Sequence, residues 1–288
     1  MINILLTGGN GQLATCIKDL ENKYDDLNFI YTDYLELDIC DLDKVKAFFE
    51  TNKQIDYCVN CAAYTAVDKA ESDIEKAFEI NEIGPKNLAL TCNEYGVTLI
   101  HVSTDFVFDG EKKNPYLETD ATKPISVYGQ SKLKGEIGIQ QTIKEYFIIR
   151  TAWLYSEHGN NFVKTMLRLG KEREEISVIS DQTGTPTYAR DLANIILEIL
   201  RIKSKSYGIY HFSNDGVASW YDFSKAIFDY SGLAIKVIPI NTEAYPTPAK
   251  RPSYSVMDKT KIKENLGVEL YNWRDSLKQC LTKINSND

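Results

Sequence analysis

Residues 2–14, INILLTGGNGQLA, join a short apolar run to a glycine-rich turn. The run has strand length, and Gly8, Gly11 and Ala14 follow it at G-x-x-G-x-x-A spacing. In such a turn the first glycine allows the tight bend, the second lets the backbone approach a pyrophosphate, and a small third residue lets helix pack on strand. The helix that follows offers free N–H groups to phosphates. The stretch therefore predicts a strand–turn–helix unit that binds a dinucleotide.

Four further apolar runs of strand length follow, at residues 27–32, 56–60, 98–103 and 146–151, with helix-length segments between them. This alternation predicts a parallel sheet. The first four of the five runs, counted from the run that begins at Ile2, are almost continuously apolar, which predicts helices on both faces of the sheet. We therefore expect an α/β fold, a Rossmann-type doubly wound sheet with a smaller C-terminal α/β substrate lobe. The expected boundaries are a dinucleotide-binding domain at residues 1–152, a helix near 188–203 packing back on it, and a substrate lobe mainly at 153–288.

Composition excludes several classes of partner. The net charge of −8 disfavours nucleic acid. The apolar stretch Ile2–Leu6 is too short for a signal peptide or a membrane span. The six scattered cysteines predict reduced thiols in the cytoplasm, and the three histidines are interpreted as structural because they lack metal-ligand spacing. No metal site is predicted.

Asp33 ends the second strand, at the offset where a carboxylate accepts hydrogen bonds from the adenosine ribose of a dinucleotide. A solvated loop acid is the alternative interpretation. No lysine or arginine lies between Tyr24 and Lys44, so the local sequence offers no cation for a 2′-phosphate. On these residues alone, NADH is favoured over NADPH.

A tyrosine four residues before a lysine places both side chains on one helix face, where the ammonium can favour the phenolate. The spacing occurs twice, at Tyr128/Lys132 and at Tyr221/Lys225. Tyr128 follows the fourth strand, at the sheet edge where α/β proteins bind ligands, so we assign catalysis to that pair and read the other as an ordinary helix face. Thr104, at the end of the same strand, is expected to share the charge that develops on a substrate carbonyl oxygen.

The chain resembles the extended short-chain dehydrogenase/reductase superfamily and, within it, the dTDP-4-dehydrorhamnose reductases. The resemblance covers roughly residues 2–258 and rests on seven blocks: Gly8–Leu13, Asn60–Glu71, Ser103–Gly110, Tyr128–Lys132, Arg150–Tyr155, Gln182–Thr187 and Arg251–Pro252. It implies an NADPH- or NADH-dependent reductase acting on a nucleotide sugar, as a monomer or homodimer. By the same resemblance, Asn10, Gly11, Gln12, Asp38, Ile39, Ala62, Ala63 and Tyr64 would contact the dinucleotide, and Thr104, Asp105, Tyr128 and Trp153 the substrate.

Two residues in these blocks also have a physical interpretation of their own. Trp153 offers a flat apolar face to a deoxysugar or thymine ring, although a core tryptophan is an equal alternative. Arg251, beside Pro252, could bind a diphosphate through its bidentate guanidinium, or could be a plain surface arginine.

The chain departs from the family pattern in three respects. Ala14 stands in place of the third glycine of the turn, which the packing role of that residue tolerates. Phe106 stands where members often have tyrosine. Thr15 and Arg190 stand near where some members join subunits through acidic groups and magnesium, so we do not expect a metal-bridged dimer. An epimerase or dehydratase of the same fold, and a non-catalytic regulatory subunit, are the alternative functions.

Overall fold

The computed structural model describes residues 1–287. The strands are β1 Ile2–Thr7, β2 Leu27–Thr32, β3 Tyr57–Asn60, β4 Thr98–Thr104, β5 Tyr146–Thr151, β6 Leu154–Tyr155, β7 Glu175–Ile179, β8 Thr183–Gly184, β9 Thr187–Tyr188, β10 Gly208–His211, β11 Ala218–Ser219 and β12 Lys236–Ile240. The helices are α1 Gln12–Glu21, α2 Leu42–Thr51, α3 Val67–Ala70, α4 Ile74–Phe78, α5 Gly84–Tyr95, α6 Val127–Thr142, α7 Phe162–Glu172, α8 Ala189–Ile202, α9 Trp220–Ser231, α10 Thr260–Leu266 and α11 Trp273–Asn287. A π-helical turn at Glu79–Ile83 joins α4 to α5, and short 3₁₀ turns occupy Asp105–Val107 and Thr242–Ala244.

The main sheet contains, within residues 1–287, six parallel strands in the order β10-β5-β4-β3-β1-β2. The chain runs outward from β1 to β2 and then returns to place β3 on the other side of β1. Strand order therefore reverses between β1 and β3, and α/β sheets of this type bind ligands at the carboxyl ends of the strands beside such a reversal.

Two apolar layers cover the sheet. On one face, α1 and α8 pack together over the strands through buried residues that include Leu13, Ile17, Leu192 and Ile196. On the other, buried residues of α2, α5 and α6 surround Leu99 and Ile148. Because strands covered on both sides have no polar face, their sequences lack alternation. The expected doubly wound α/β fold is confirmed.

The remaining C-terminal elements form a smaller unit around their own apolar cluster. Helices α7, α9 and α11 pack with the parallel pair β7–β12, and the cluster includes Met166, Phe223 and Trp273. Two further short pairs form, β6 parallel with β9 and β8 antiparallel with β11.

The chain crosses the expected domain boundary at residue 152 more than once. Helix α8 packs on α1, β10 adds a strand to the main sheet beside β5, and α10 contributes Ile262 and Leu266 to the same apolar layer. Three segments beyond residue 152 thus belong physically to the sheet layer, whereas sequence reasoning had placed no strand at 208–211. Residue 288, the end of the expected lobe, lies outside the described residues. Among those described, no helix has the length and apolar character needed to cross a membrane.

Candidate active site

The glycine turn after β1 is shaped by a close approach to the loop that follows β3. Gly8 has a φ of +70°, and a Cβ at this position would lie 2.6 Å from the backbone nitrogen of Ala62. Gly9 N–H donates to Thr32 O at 2.9 Å, which ties the turn to β2. Gly11 is the extended residue before α1, so the free N–H groups of that helix lie at the end of the turn.

A cavity of about 260 Å³ lies against this turn. It is lined by eight of the residues predicted to bind the dinucleotide: Gly8, Asn10, Gly11, Asp33, Asp38, Ile39, Ala62 and Ala63. Tyr34, Cys40, Lys76 and Ile80 also line it, although sequence reasoning did not select them. The residues come from the loops that follow three neighbouring strands, from α4 and from the π-helical turn after it.

Asp33 is held firmly beside the turn. Its Oδ2 accepts a hydrogen bond from Asn10 N–H at 2.8 Å, and its Oδ1 accepts from Tyr34 N–H at 2.7 Å. Each carboxylate oxygen keeps further lone-pair capacity. Lys76, far away in sequence, lies in the same cavity, where its ammonium pairs with Glu79 at 2.9 Å and lies 6.0 Å from the Tyr34 ring. The local sequence offered no cation here, but the fold supplies one.

A larger cleft of about 580 Å³ continues from this cavity and shares Asn10, Gly11, Cys61 and Ala63 with it. The cleft is lined by seven further predicted residues: Gln12, Leu13, Thr104, Asp105, Tyr128, Lys132 and Trp153. The proposed catalytic and substrate residues therefore share one space that opens onto the glycine turn.

Tyr128 is positioned by the tight seating of the first turn of α6. Ser126 caps the helix by accepting from Gly129 N–H at 3.2 Å. A Cβ on Gly129 would lie 2.2 Å from Phe106 O, so only glycine lets the helix press against the turn after β4. The Phe106 and Tyr128 rings meet edge to face at 5.5 Å. This packing holds the tyrosine ring beside the Thr104 strand end.

The electrostatics of Tyr128 differ from expectation. Burial raises the pKa of Tyr128 to about 12, while hydrogen bonding with Thr104 opposes this and the nearby charge of Asp105 adds to it. We expected Lys132 to lower this pKa. The Lys132 ammonium instead donates to Val102 O at 2.7 Å, and burial lowers its own pKa to about 8. The expected lowering of the Tyr128 pKa is therefore not observed, because desolvation dominates both groups before any proton is transferred.

Thr104 and Asp105 form a polar pair at the strand end. Thr104 Oγ1 donates to Asp105 Oδ1 at 3.1 Å and accepts from Phe106 N–H at 3.2 Å. Burial raises the pKa of Asp105 to about 6, with hydrogen bonds to its carboxylate opposing the shift. Thr104 is the last residue of β4, because the strand extends one residue beyond the run 98–103 that the sequence indicated.

Trp153 lines the cleft from a strained backbone position. Its φ is +49°, a left-handed conformation that is uncommon for a bulky residue. The indole stacks on Trp220 with ring centroids 3.6 Å apart and an interplanar angle of 9°. Gly184 makes room for it, because a Cβ there would lie 2.7 Å from Trp153 Cε2. Trp153 is thus half-buried rather than a core residue.

The structure does not bring two of the predicted residues to either cavity. The Tyr64 backbone is bound on both sides by the Asn81 amide, and its hydroxyl donates to Asp73 at 3.1 Å. Arg251 directs its bidentate guanidinium at Asp68, with Nη2 2.6 Å from Oδ2 and Nη1 3.0 Å from Oδ1. The fork expected to bind a diphosphate is therefore occupied by a carboxylate.

One cluster of metal-ligating side chain types lies outside the cleft. Atoms of Cys16, Glu157 and His158 lie within 4.8 Å of one another. Arg190 lies 3.9 Å from Glu157 and 3.6 Å from Asp19, so an arginine already neutralises these acids. Burial and the two carboxylates raise the pKa of Cys16, which keeps the thiol protonated and a poor ligand. The donor set thus does not suit a metal ion.

The residues that sequence reasoning missed have no local signal. Cys61 lies within one of the blocks that carry the resemblance, but only the residues after it, Ala62 to Tyr64, were predicted to contact the dinucleotide. Lys76 of α4 and Ile80 of the π-helical turn reach the cavity through tertiary packing. Asn160 and Asn161 line the cleft because their loop returns to the glycine turn. Asn161 Nδ2 lies 3.5 Å from Gln12 Oε1, and Ser156 Oγ donates to the same atom at 3.2 Å.

Comparison with known proteins agrees with this arrangement. A family model described as the RmlD substrate binding domain matches residues 2–286. The chain is 40% identical to a dTDP-4-dehydrorhamnose reductase of Aggregatibacter actinomycetemcomitans, over 96% of this chain and 98% of that protein.

Solved structures of two reductases superpose closely on the chain. The dTDP-4-dehydrorhamnose reductase of Clostridium acetobutylicum gives a TM-score of 0.95 at 44% identity, covering 99% of this chain and 100% of that one. The enzyme of Bacillus anthracis in complex with NADP gives 0.94 at 38% identity, covering 98% and 100%. The chain therefore belongs to the RmlD family, among the dTDP-4-dehydrorhamnose reductases.

Proposed function

We propose that this protein reduces the 4-keto group of dTDP-4-dehydro-L-rhamnose to give dTDP-L-rhamnose, with NADPH or NADH as hydride donor and Tyr128 as proton donor. The observation that carries the proposal is the placement of Thr104, Tyr128 and Lys132 in one cleft that continues into the cavity of the glycine turn. A reductase needs this continuity, because hydride donor and carbonyl must meet beside the acid.

The residues around the glycine turn fit a dinucleotide. The space beside Gly8 and the N-terminus of α1 suit a pyrophosphate, and Asp33 keeps acceptor capacity for a ribose hydroxyl. Asp38, Ile39, Ala62 and Ala63 line the part of the cavity left for the adenine. The bound dinucleotide would supply a hydride.

Tyr128 then acts as the general acid. With its pKa raised to about 12 the phenol keeps its proton at neutral pH, as a donor in the reducing direction must. As hydride reaches the carbonyl carbon, the phenol gives its proton to the carbonyl oxygen. Thr104 shares the charge that develops on that oxygen, and the Lys132 ammonium stabilises the resulting phenolate.

The substrate side of the cleft combines a flat ring with a buried acceptor. Trp153 offers apolar surface to the deoxysugar. Asp105 is buried, and within residues 1–287 no group meets hydrogen-bond geometry with its Oδ2, although the Ser255 hydroxyl is near enough to the carboxyl to lower its pKa. Oδ2 therefore keeps the capacity to accept from a sugar hydroxyl.

The cavity of the glycine turn offers a contact for NADH and one for NADPH. Asp33 favours an unphosphorylated ribose, whereas Lys76 can attract a 2′-phosphate. The Bacillus anthracis relative was solved with NADP. We further infer a cytoplasmic enzyme, because the cysteines of the described residues are all unpaired, acting as a monomer or homodimer.

The test is the loss of absorbance at 340 nm when the protein receives NADPH or NADH with dTDP-4-dehydro-L-rhamnose. Net oxidation in proportion to the product supports the reductase and ranks the coenzymes. An epimerase or dehydratase would return the hydride to its own substrate and give no net loss, and a regulatory subunit would bind without turnover. No oxidation of a substrate that a known reductase consumes would therefore reject the proposal.

A further inference from the structure

A chain of buried polar groups runs beneath the cleft to Lys132. Thr7 on β1 donates to Asn60 Oδ1 on β3 at 2.7 Å. Asn60 Nδ2 lies 3.0 Å from His101 Nδ1 on β4, and His101 Nε2 lies 3.3 Å from Lys132 Nζ on α6. All four side chains are at most 2% exposed, so each must find its partners within the protein.

Hydrogen-bond accounting fixes the orientation of the Asn60 amide. The backbone N–H of Ala62 can only donate, and it donates to Asn60 Oδ1 at 3.0 Å. Asn60 Nδ2 therefore faces His101 as a donor, which makes His101 Nδ1 an acceptor. Burial, together with the charge of Lys132, lowers the pKa of His101 well below its ordinary value, so the ring is neutral. A neutral imidazole that accepts at Nδ1 carries its proton on Nε2.

That proton points at Lys132. An ammonium has only donors, so it cannot accept from His101 Nε2–H, whereas a neutral amine has one lone pair that can. The amine can accept from His101 and donate to Val102 O, 2.7 Å away, at the same time. The observed contacts of Nζ are therefore all satisfied in the neutral form of Lys132.

Other charged or titratable groups also act on Lys132. Glu136, one turn further along α6, and Cys61, after β3, favour the ammonium. The charge of Glu136 is largely neutralised by Arg150, whose Nη2 lies 2.7 Å away. Burial outweighs both groups and lowers the pKa of Lys132 to about 8, close enough to neutrality for both forms to be used.

We propose that His101 is a positioning residue that donates its Nε2–H to the amine of Lys132, so that Lys132 can alternate between ammonium and amine during turnover. The inference rests on the proposed role of Tyr128. The Tyr128 O–H breaks as the product O–H forms, and a Lys132 N–H then breaks as the Tyr128 O–H re-forms. The amine left behind accepts from His101 until it takes up a proton from the solvent of the cleft that Lys132 lines.

Two substitutions of matched polarity separate this role from a packing role. In His101→Gln the side chain is long enough for its amide to donate to Nζ while its oxygen accepts from Asn60. In His101→Asn the side chain can contact Asn60 but is too short to reach Lys132. Both keep a polar group in the buried site, and thermal unfolding identifies any variant that fails to fold.

The measurement is the titration of Lys132 by NMR of protein labelled at lysine Cε, with the signal assigned by its loss in Lys132→Met. We expect the Lys132 midpoint to rise by roughly one pH unit in His101→Asn, a tenfold change in the equilibrium, and to stay near that of the unsubstituted protein in His101→Gln. The basic limb of the kcat profile should move with it, while KM for the dinucleotide stays unchanged.

An unchanged Lys132 midpoint in His101→Asn would overturn the inference, whatever the activity. A shifted midpoint without a matching shift of the kcat profile would reject the catalytic part of it. If the midpoint shifts as expected but no variant, nor the unsubstituted protein, oxidises NAD(P)H, the coupling of His101 to Lys132 stands and it is the proposed function that fails.

Discussion

Helices α6 and α9 carry the same tyrosine–lysine spacing in very different surroundings. On α6, Lys132 is 2% exposed, and both it and Tyr128 line the cleft. On α9, Lys225 is exposed and Tyr221 is half-buried. Neither of these two described residues lines the cavity or the cleft. The i,i+4 spacing alone therefore says little about chemistry. Burial at the carboxyl edge of the sheet shifts the pKa values of Tyr128 and Lys132. The position of α6 at this edge also places both side chains in the cleft that continues into the cavity of the glycine turn.

The strongest test of this comparison is removal of each hydroxyl. We expect Tyr128→Phe to lower kcat by about 10²- to 10⁴-fold, the usual contribution of a positioned general acid, while dinucleotide binding stays intact. Tyr221→Phe should change kcat by less than about tenfold, or ~1.4 kcal/mol in barrier. Steady-state assays at 340 nm and fluorescence titration with NADPH measure both. An active Tyr128→Phe enzyme, or a larger loss at Tyr221, would reverse the assignment of the two helices.

The two lysines should separate by a smaller factor. Lys132→Met removes the ammonium that is proposed to stabilise the phenolate of Tyr128, and it is expected to lower kcat by roughly a hundredfold. Lys225→Met removes an exposed charge and should leave kcat unchanged. Equal effects of the two substitutions on kcat would mean that α6 gains nothing from its buried lysine.

The carboxyl group beside the α6 pair offers a test through stability. The pKa of Asp105 is raised from 3.8 to about 6, so the folded state binds more protons than the unfolded state between these values. The stability of the fold therefore falls as pH rises through this range, and the full cost is present above pH 6. At about 1.4 kcal/mol per pH unit the cost reaches ~3 kcal/mol. Asp105→Asn should therefore be more stable than the parent at pH 7, and the advantage should shrink as pH falls from 6 to 4.

Urea unfolding across this pH range measures the difference in the free energy of unfolding. Asp229→Asn, on the exposed side of α9, is the matched control and should follow the parent at every pH. If the difference in the free energy of unfolding between Asp105→Asn and the parent does not change with pH, then burial does not raise the pKa of Asp105.

The smallest expected effect concerns a lysine of intermediate exposure. Lys76→Ala should weaken NADPH binding by roughly two- to fivefold, the range of a partly exposed ion pair, and should leave NADH binding nearly unchanged. Binding of both coenzymes can be compared by calorimetry at low ionic strength. An equal loss for both would assign Lys76 to the adenine and not to the 2′-phosphate.

How much of this the sequence could predict depends on how local each feature is. The glycine turn, Thr104 and the α6 pair lie at strand ends or within one helix turn, so their positions follow from the strand pattern. The roles of Arg251 and Lys76 could not be predicted from the sequence. Arg251 forms an ion pair with Asp68, which is distant in sequence, and Lys76 reaches the cavity through the packing of α4. Strand β10, four residues long at the sheet edge, was too short to stand out from its surroundings.

The shifts on α6 were also beyond reach of the sequence. A tyrosine and a lysine four residues apart suggest mutual attraction, and only the burial of both groups shows that desolvation dominates. His101 was interpreted as structural for want of ligand spacing, and its contact with Lys132 depends on how β4 and α6 pack.

The left-handed backbone of Trp153 has a consequence for how tightly a sugar can be held. Such a conformation costs about 1–3 kcal/mol and persists only because Trp220 and the space at Gly184 determine the position of the indole. The ring is thus ordered when the chain folds, and little rotational entropy is left to lose when a ligand arrives. A looser protein that relaxed this residue would gain stability and would weaken the proposed contact between Trp153 and the sugar.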